Sequence, residues 1–169
     1  MIGLAACSPN LTPFTQDIYE QNRWSEDELR SIQFYLSSDI VLHRQHKDGE
    51  STISGGKIRM IDGREVEEIV FRKGTPGVLM FTPKTDRFAI SFEDSGEERY
   101  LMFGPNPKAG DRYVLLAKDW DRRTGDISYD GKTYKTSSES AFAHLMIDMK
   151  RIQKLDRESR TVKGRTISQ

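Results

Sequence analysis

From residue 47 onward the chain is punctuated by turn-forming residues at intervals of roughly eight to twelve, and the stretches between them are too short to nucleate helices. Lys47-Asp48-Gly49, Ser54-Gly55-Gly56, Asp62-Gly63, Lys73-Gly74-Thr75-Pro76-Gly77 and Thr82-Pro83-Lys84 come first. Asp94-Ser95-Gly96, Gly104-Pro105-Asn106-Pro107, Arg123-Thr124-Gly125 and Asp130-Gly131 follow. The intervening runs favour strands: Lys57–Ile61, Val66–Arg72, Val78–Thr82, Arg87–Phe92, Arg99–Phe103, Tyr113–Lys118, Asp126–Tyr129 and Lys132–Lys135. Ile40-Val41-Leu42-His43 opens the series, and Phe88, Ile90 and Phe92 alternate with polar or small neighbours as a half-buried strand requires. Asp130-Gly131 is a two-residue hairpin signal of the type I′ kind, in which both central residues take positive φ. The pattern predicts a mainly β chain: an antiparallel β-sandwich or barrel of about eight short strands with one N-terminal helix.

That helix has a clear start. Ser25 followed by Glu28 forms a capping box, and Trp24 and Leu29 stand where a hydrophobic staple would place them. Glu26, Asp27 and Glu28 suit the positive end of the helix dipole. Leu29, Ile32, Gln33 and Leu36 continue the stripe, so the spacing predicts a helix over 25–36. Residues 141–153 fit two periods; the strand is preferred because His144, Asp148 and Lys150 then fall on the polar face. The domain organisation expected is a signal-peptide remnant over 1–6, a tether over 7–23, a helix-plus-β domain over 24–153 and a basic tail over 154–169. From Lys150 onward seven basic residues stand against two acidic ones, with Lys150, Arg151, Lys154 and Arg157 as candidate docking residues for a partner or a membrane surface.

Composition excludes several functions. Of 169 residues, 26 are basic and 26 acidic, which leaves no global attraction to nucleic acid. No apolar run approaches the roughly 20 residues of a membrane-spanning helix. A single cysteine, Cys7, rules out an internal disulfide and any multi-cysteine zinc site.

Leu4-Ala5-Ala6-Cys7, followed by the polar, proline-bearing run Ser8-Pro9-Asn10-Leu11-Thr12-Pro13, resembles the lipobox of bacterial lipoproteins. In that family small side chains precede a cysteine whose thiol takes a diacylglycerol before the signal is cleaved and the new amino group is acylated. The resemblance implies lipidation at Cys7 and an acyl anchor in which each buried CH₂ contributes about 0.8 kcal/mol. Ser8 and Pro9, rather than an aspartate, follow the cysteine. By the same resemblance this favours the outer membrane, with a domain facing the periplasm.

No arrangement of reactive residues announces catalysis. His43 and His46 are three apart on an expected strand and so point to opposite sides, and His144 is the only other imidazole. Asp119-Trp120-Asp121 with Asp126 has the acids of a calcium loop but arginines at positions 122 and 123, and it reads as a charged hairpin loop. Gly74-Thr75-Pro76-Gly77 lacks the lysine of a phosphate loop, and no Gly-x-Ser-x-Gly elbow occurs. Glu67-Glu68 and Glu97-Glu98 read as solvated hairpin carboxylates.

The chain therefore reads as a non-enzymatic, lipid-anchored envelope protein without a cofactor or metal, acting as an accessory or adaptor subunit of a membrane-associated assembly. Its partners would be the membrane, through Cys7, and another envelope protein, with no nucleic acid. The competing reading is a β module for a small ligand, lipid or glycan, with Trp120, Tyr113 and Tyr129 as walls. That reading requires a deep apolar pocket, whereas the adaptor requires an accessible strand edge.

Overall fold

Short strands cannot bury an apolar face alone, and here they do so by forming two antiparallel sheets that share one core. The computed structural model describes residues 10–45, 57–61, 63–94, 96–153 and 164–168. In chain order these form β1 (Leu11–Pro13), α1 (Gln16–Asn22), α2 (Glu26–Arg30), β2 (Phe34–Leu36), β3 (Ile40–Gln45), β4 (Lys57–Ile61), β5 (Arg64–Phe71) and β6 (Pro76–Lys84). Then come β7 (Arg87–Ser91), β8 (Leu101–Asn106), β9 (Arg112–Leu115), β10 (Thr124–Tyr129), β11 (Lys132–Ser137) and β12 (Leu145–Asp148). One sheet runs β1-β12-β2-β6-β7-β8-β9 and the other β10-β11-β3-β5-β4. The architecture is the expected mainly β sandwich, built from more strands than the turn signals alone mark out.

The larger sheet curls back on itself. Past the last ladder pair, the Tyr113 N–H donates to the Phe14 carbonyl at 3.0 Å and the Leu115 N–H to the Ala143 carbonyl at 2.9 Å. Val114 bridges His144 and Arg112 bridges Thr15. β9 thus satisfies its outer edge on the chain entering β12 and leaving β1, so this sheet closes much as a small barrel does.

Two expectations need correction. The segment over 7–23 is no tether from Leu11 onward. β1 pairs with β12, and Thr15 caps α1 by accepting from the Ile18 N–H at 3.3 Å. Phe14 is fully buried at the centre of an aromatic cluster with Trp24, Phe34, Phe88 and Tyr113. The two prolines suggested a free segment, but one aromatic ring at the core outweighs them, and Pro13 fits because β1 is an edge strand.

The helix predicted over 25–36 ends at Arg30. Its start is as expected: Ser25 Oγ accepts from the Glu28 N–H at 3.2 Å while Glu28 Oε2 accepts from the Ser25 N–H at 2.7 Å, and Trp24 and Leu29 are buried. Beyond Ile32 the chain extends into β2, held between β12 and β6. Phe34 and Leu36 face the core and Tyr35 does not, so tertiary pairing overrides a helical spacing that aromatic residues support poorly. Residues 145–148 form the preferred strand, and residues 149–153 then turn helical. Asp130 and Gly131 both have positive φ, at 50° and 72°, as the I′ hairpin demands.

Candidate functional site

The aromatic residues expected to wall a ligand site are distributed differently. Tyr113 and Tyr129 are core residues. The Tyr113 hydroxyl donates to Gln16 Oε1 at 2.5 Å, and the Tyr129 hydroxyl donates to the Glu93 carboxylate. Burial pushes both phenols above the ordinary tyrosine range, with the Glu93 hydrogen bond adding to the effect at Tyr129. Each ring packs where its polar tip finds a partner, which is what a buried tyrosine requires. Trp120 is 38% exposed and lies against Gly125, where an added Cβ would sit 2.7 Å from its ring. It covers the backbone of its own hairpin. The exposed Asp121 carboxylate is likewise turned onto its own loop, accepting from the Arg123 and Thr124 N–H groups at 2.8 and 2.7 Å. These hydrogen bonds, the Arg123 N–H first, hold it below the usual carboxylate range.

A cleft of about 250 Å³ lies between α2, β2, β6 and residues 148–152, lined by Arg30, Ser31, Ile32, Gln33, Tyr35, Val78, Asp148, Arg151 and Ile152. That is smaller than the roughly 300–1,000 Å³ of ordinary ligand sites. Arg30, Gln33 and Asp148 on its wall are engaged internally. Arg30 pairs with Glu26 at 2.5 Å and donates from Nε to the Met80 carbonyl, and Gln33 donates to the Gly77 carbonyl at 2.8 Å. Asp148 Oδ1 accepts from the Lys150 and Arg151 N–H groups. Lys150 and Arg151 are both exposed, with Arg151 on the cleft wall. Cys7, Lys154, Arg157 and His46 lie outside the described residues.

His43 sits on β3, and His144 half-buried before β12, its Nδ1 3.1 Å from the Phe142 carbonyl oxygen. Among the described residues no group of three or more histidine, cysteine or acidic side chains could hold a metal ion, and no helix is long and apolar enough to cross a membrane.

The adjacent glutamates of β5 part company. Glu68 faces outward and accepts from Arg59 at 2.9 Å. Glu67, expected to be solvated, is fully buried on the inner face. It accepts from Arg44 Nε at 2.7 Å and from the Tyr134 hydroxyl at 3.2 Å, with Lys132 Nζ 4.0 Å away. Strand alternation separates the two carboxylates, and the charge buried with Glu67 is tolerable because Arg44 is paired to it.

This polar cluster supports the edge that sequence reading missed. β4 is the last strand of the five-stranded sheet and, among the described residues, pairs on one side only, with β5. Ile58 stands opposite Glu67 and Met60 opposite Glu65 on the inner face, yet they are 47% and 66% exposed. Lys57 and Arg59 occupy the outer face. Two apolar side chains beside a row of backbone donors and acceptors unpaired among the described residues form a sheet edge of the kind that accepts another strand. Alternation of Lys57, Ile58, Arg59 and Met60 was visible in the sequence, but it reads as any half-buried strand. Comparison with protein-family models, curated proteins and solved structures finds no match.

Proposed function

We propose that this chain is a lipid-anchored, periplasm-facing envelope protein that serves as an accessory or adaptor subunit of a membrane-associated assembly, binding its partner by strand addition at β4. The observation that carries the reading is that edge, where Ile58 and Met60 stay exposed on a strand that pairs on one side only among the described residues. The lipobox-like run ending at Cys7 supplies the anchor. The role is recognition rather than catalysis: Arg30, Gln33 and Asp148 of the cleft beside α2 are spent on internal contacts, and Tyr113 and Tyr129 are committed to the core. These placements weigh against the ligand-module reading.

The test is expression of the complete reading frame in a Gram-negative host, with membrane fractionation and intact mass for wild type and Cys7→Ser. A photo-crosslinking residue is placed at Arg59 and, as a control, at exposed Lys108. The expected result is an acyl-sized mass gain and outer-membrane partition for wild type alone, with a crosslink from position 59 and none from 108. Soluble, unmodified protein in both forms overturns the anchor, and equal crosslinking from both positions overturns the edge.

A further inference from the structure

Backbone register carries charge in an ordered way across the outer face of the five-stranded sheet. Lys57 of β4 pairs with Glu68 of β5, Glu68 with His43 of β3, His43 with Lys135 of β11, and Lys135 with Asp126 of β10. Asp126 in turn bridges Lys118. One row thus crosses every strand with signs that alternate around the imidazole: Lys118, Asp126, Lys135, His43, Glu68, Lys57. Opposite charges facing each other across strands stabilise a sheet and like charges destabilise it. The row stops at Lys57 on the outermost described strand, with Arg59 two residues along on the same face and ion-paired to Glu68 at 2.9 Å.

We infer that β4 recruits an extended partner segment in which acidic and apolar residues alternate, the acids continuing the charge row beside Lys57 and Arg59 and the apolar residues covering Ile58 and Met60. This rests on the adaptor reading and names the partner's chemistry. A second copy of the chain is the wrong occupant, since antiparallel pairing centred on Arg59 sets Arg59 against Arg59. The period of two is what selects the segment. A helix offers no backbone to the edge, and a uniformly acidic strand leaves the apolar pair uncovered.

The probe is a labelled peptide, acetyl-Thr-Glu-Val-Asp-Val-Glu-Thr-amide, beside its counterpart with lysine at each acidic position. Fluorescence anisotropy gives affinity, and amide hydrogen exchange on the whole chain locates the contact. The acidic peptide should bind about tenfold more tightly than the basic one, the size expected from two or three cross-strand charge pairs. It should also slow exchange within Lys57–Ile61. Lys57→Glu with Arg59→Glu should reverse the order of the two peptides. Ile58→Ser with Met60→Ser should weaken both and leave their order intact. Equal affinity for the two peptides, or protection outside β4, overturns the inference while leaving the cellular crosslink from position 59 to judge the adaptor role. Discrimination in solution without that crosslink sustains the edge chemistry and overturns the role.

Discussion

Arg44 Nε donates to Glu67 Oε2 at 2.7 Å, and the carboxylate it serves has no exposed surface. A charged pair at the margin of a β core is costly to desolvate, so its contribution shows most clearly when one member is removed. Glu67→Leu or Arg44→Met should each destabilise the domain by about 3–5 kcal/mol, because the remaining charge stays buried. Arg44→Met combined with Glu67→Leu should recover most of that loss. Urea denaturation of the three variants decides it; if the double variant is as unstable as the sum of the singles, the pair is not acting as a unit.

Phe14 meets Phe34 edge-to-face with ring centroids 5.5 Å apart, although its neighbours in sequence include two prolines. Phe14→Ala should cost about 3–5 kcal/mol, the usual consequence of an unfilled aromatic site. Removing residues through Thr15 should abolish cooperative unfolding in circular dichroism melts, because β1 and the Phe14 ring go with them.

Gly125 has no room for a methyl group beneath Trp120, with ring carbons at 2.7 and 2.8 Å from the position a Cβ would take. Gly125→Ala should lift the indole into solvent, move tryptophan emission to longer wavelength and cost about 1–3 kcal/mol. The same substitution in a Trp120→Phe background should leave the emission of Trp24 in place.

His144 occupies the seam where the larger sheet closes, its backbone N–H donating to Ser37 Oγ at 2.9 Å. Burial holds the imidazole below its ordinary value, with the Phe142 carbonyl opposing that shift and Arg112 adding to it. The folded state therefore prefers the neutral ring. Above the unfolded value of about 6.5 both states are neutral and the group has no effect. As pH falls through that value the unfolded chain takes the proton first, and stability declines until the folded ring titrates too. Wild type should lose urea resistance between about pH 7 and pH 5, and His144→Asn should flatten that slope. An unchanged slope rules out this histidine as its source.

Most of the strand inventory was legible because turns announce themselves locally. Asp130-Gly131 has one comfortable conformation, and the runs on either side of it pair through the whole of β10 and β11. β1 and β2 were not legible. Each is three residues long, and each is a strand only because β12, more than a hundred residues away, lies beside it. Leu29, Ile32 and Leu36 keep a helical spacing that becomes irrelevant once Phe34 is held between two neighbours. Of the candidate site, the composition of β4 was readable and its meaning was not. Whether Ile58 and Met60 are covered depends on where the opposing sheet ends, and no local pattern encodes that boundary. Glu67 and Glu68 show the converse case: alternation separated them correctly, but which one would be buried depended on Arg44 arriving from β3.

Leu11 stands directly across from Asp148, so the first strand of the fold lies against the last. The path is therefore nearly a ring, and where it is cut matters little to the contacts it makes. A permuted gene that joins residue 153 to residue 10 through a short flexible linker and opens the chain between β9 and β10 keeps every ladder of both sheets. Such a molecule would move the chain ends to another face of the domain while the β4 edge stays the same.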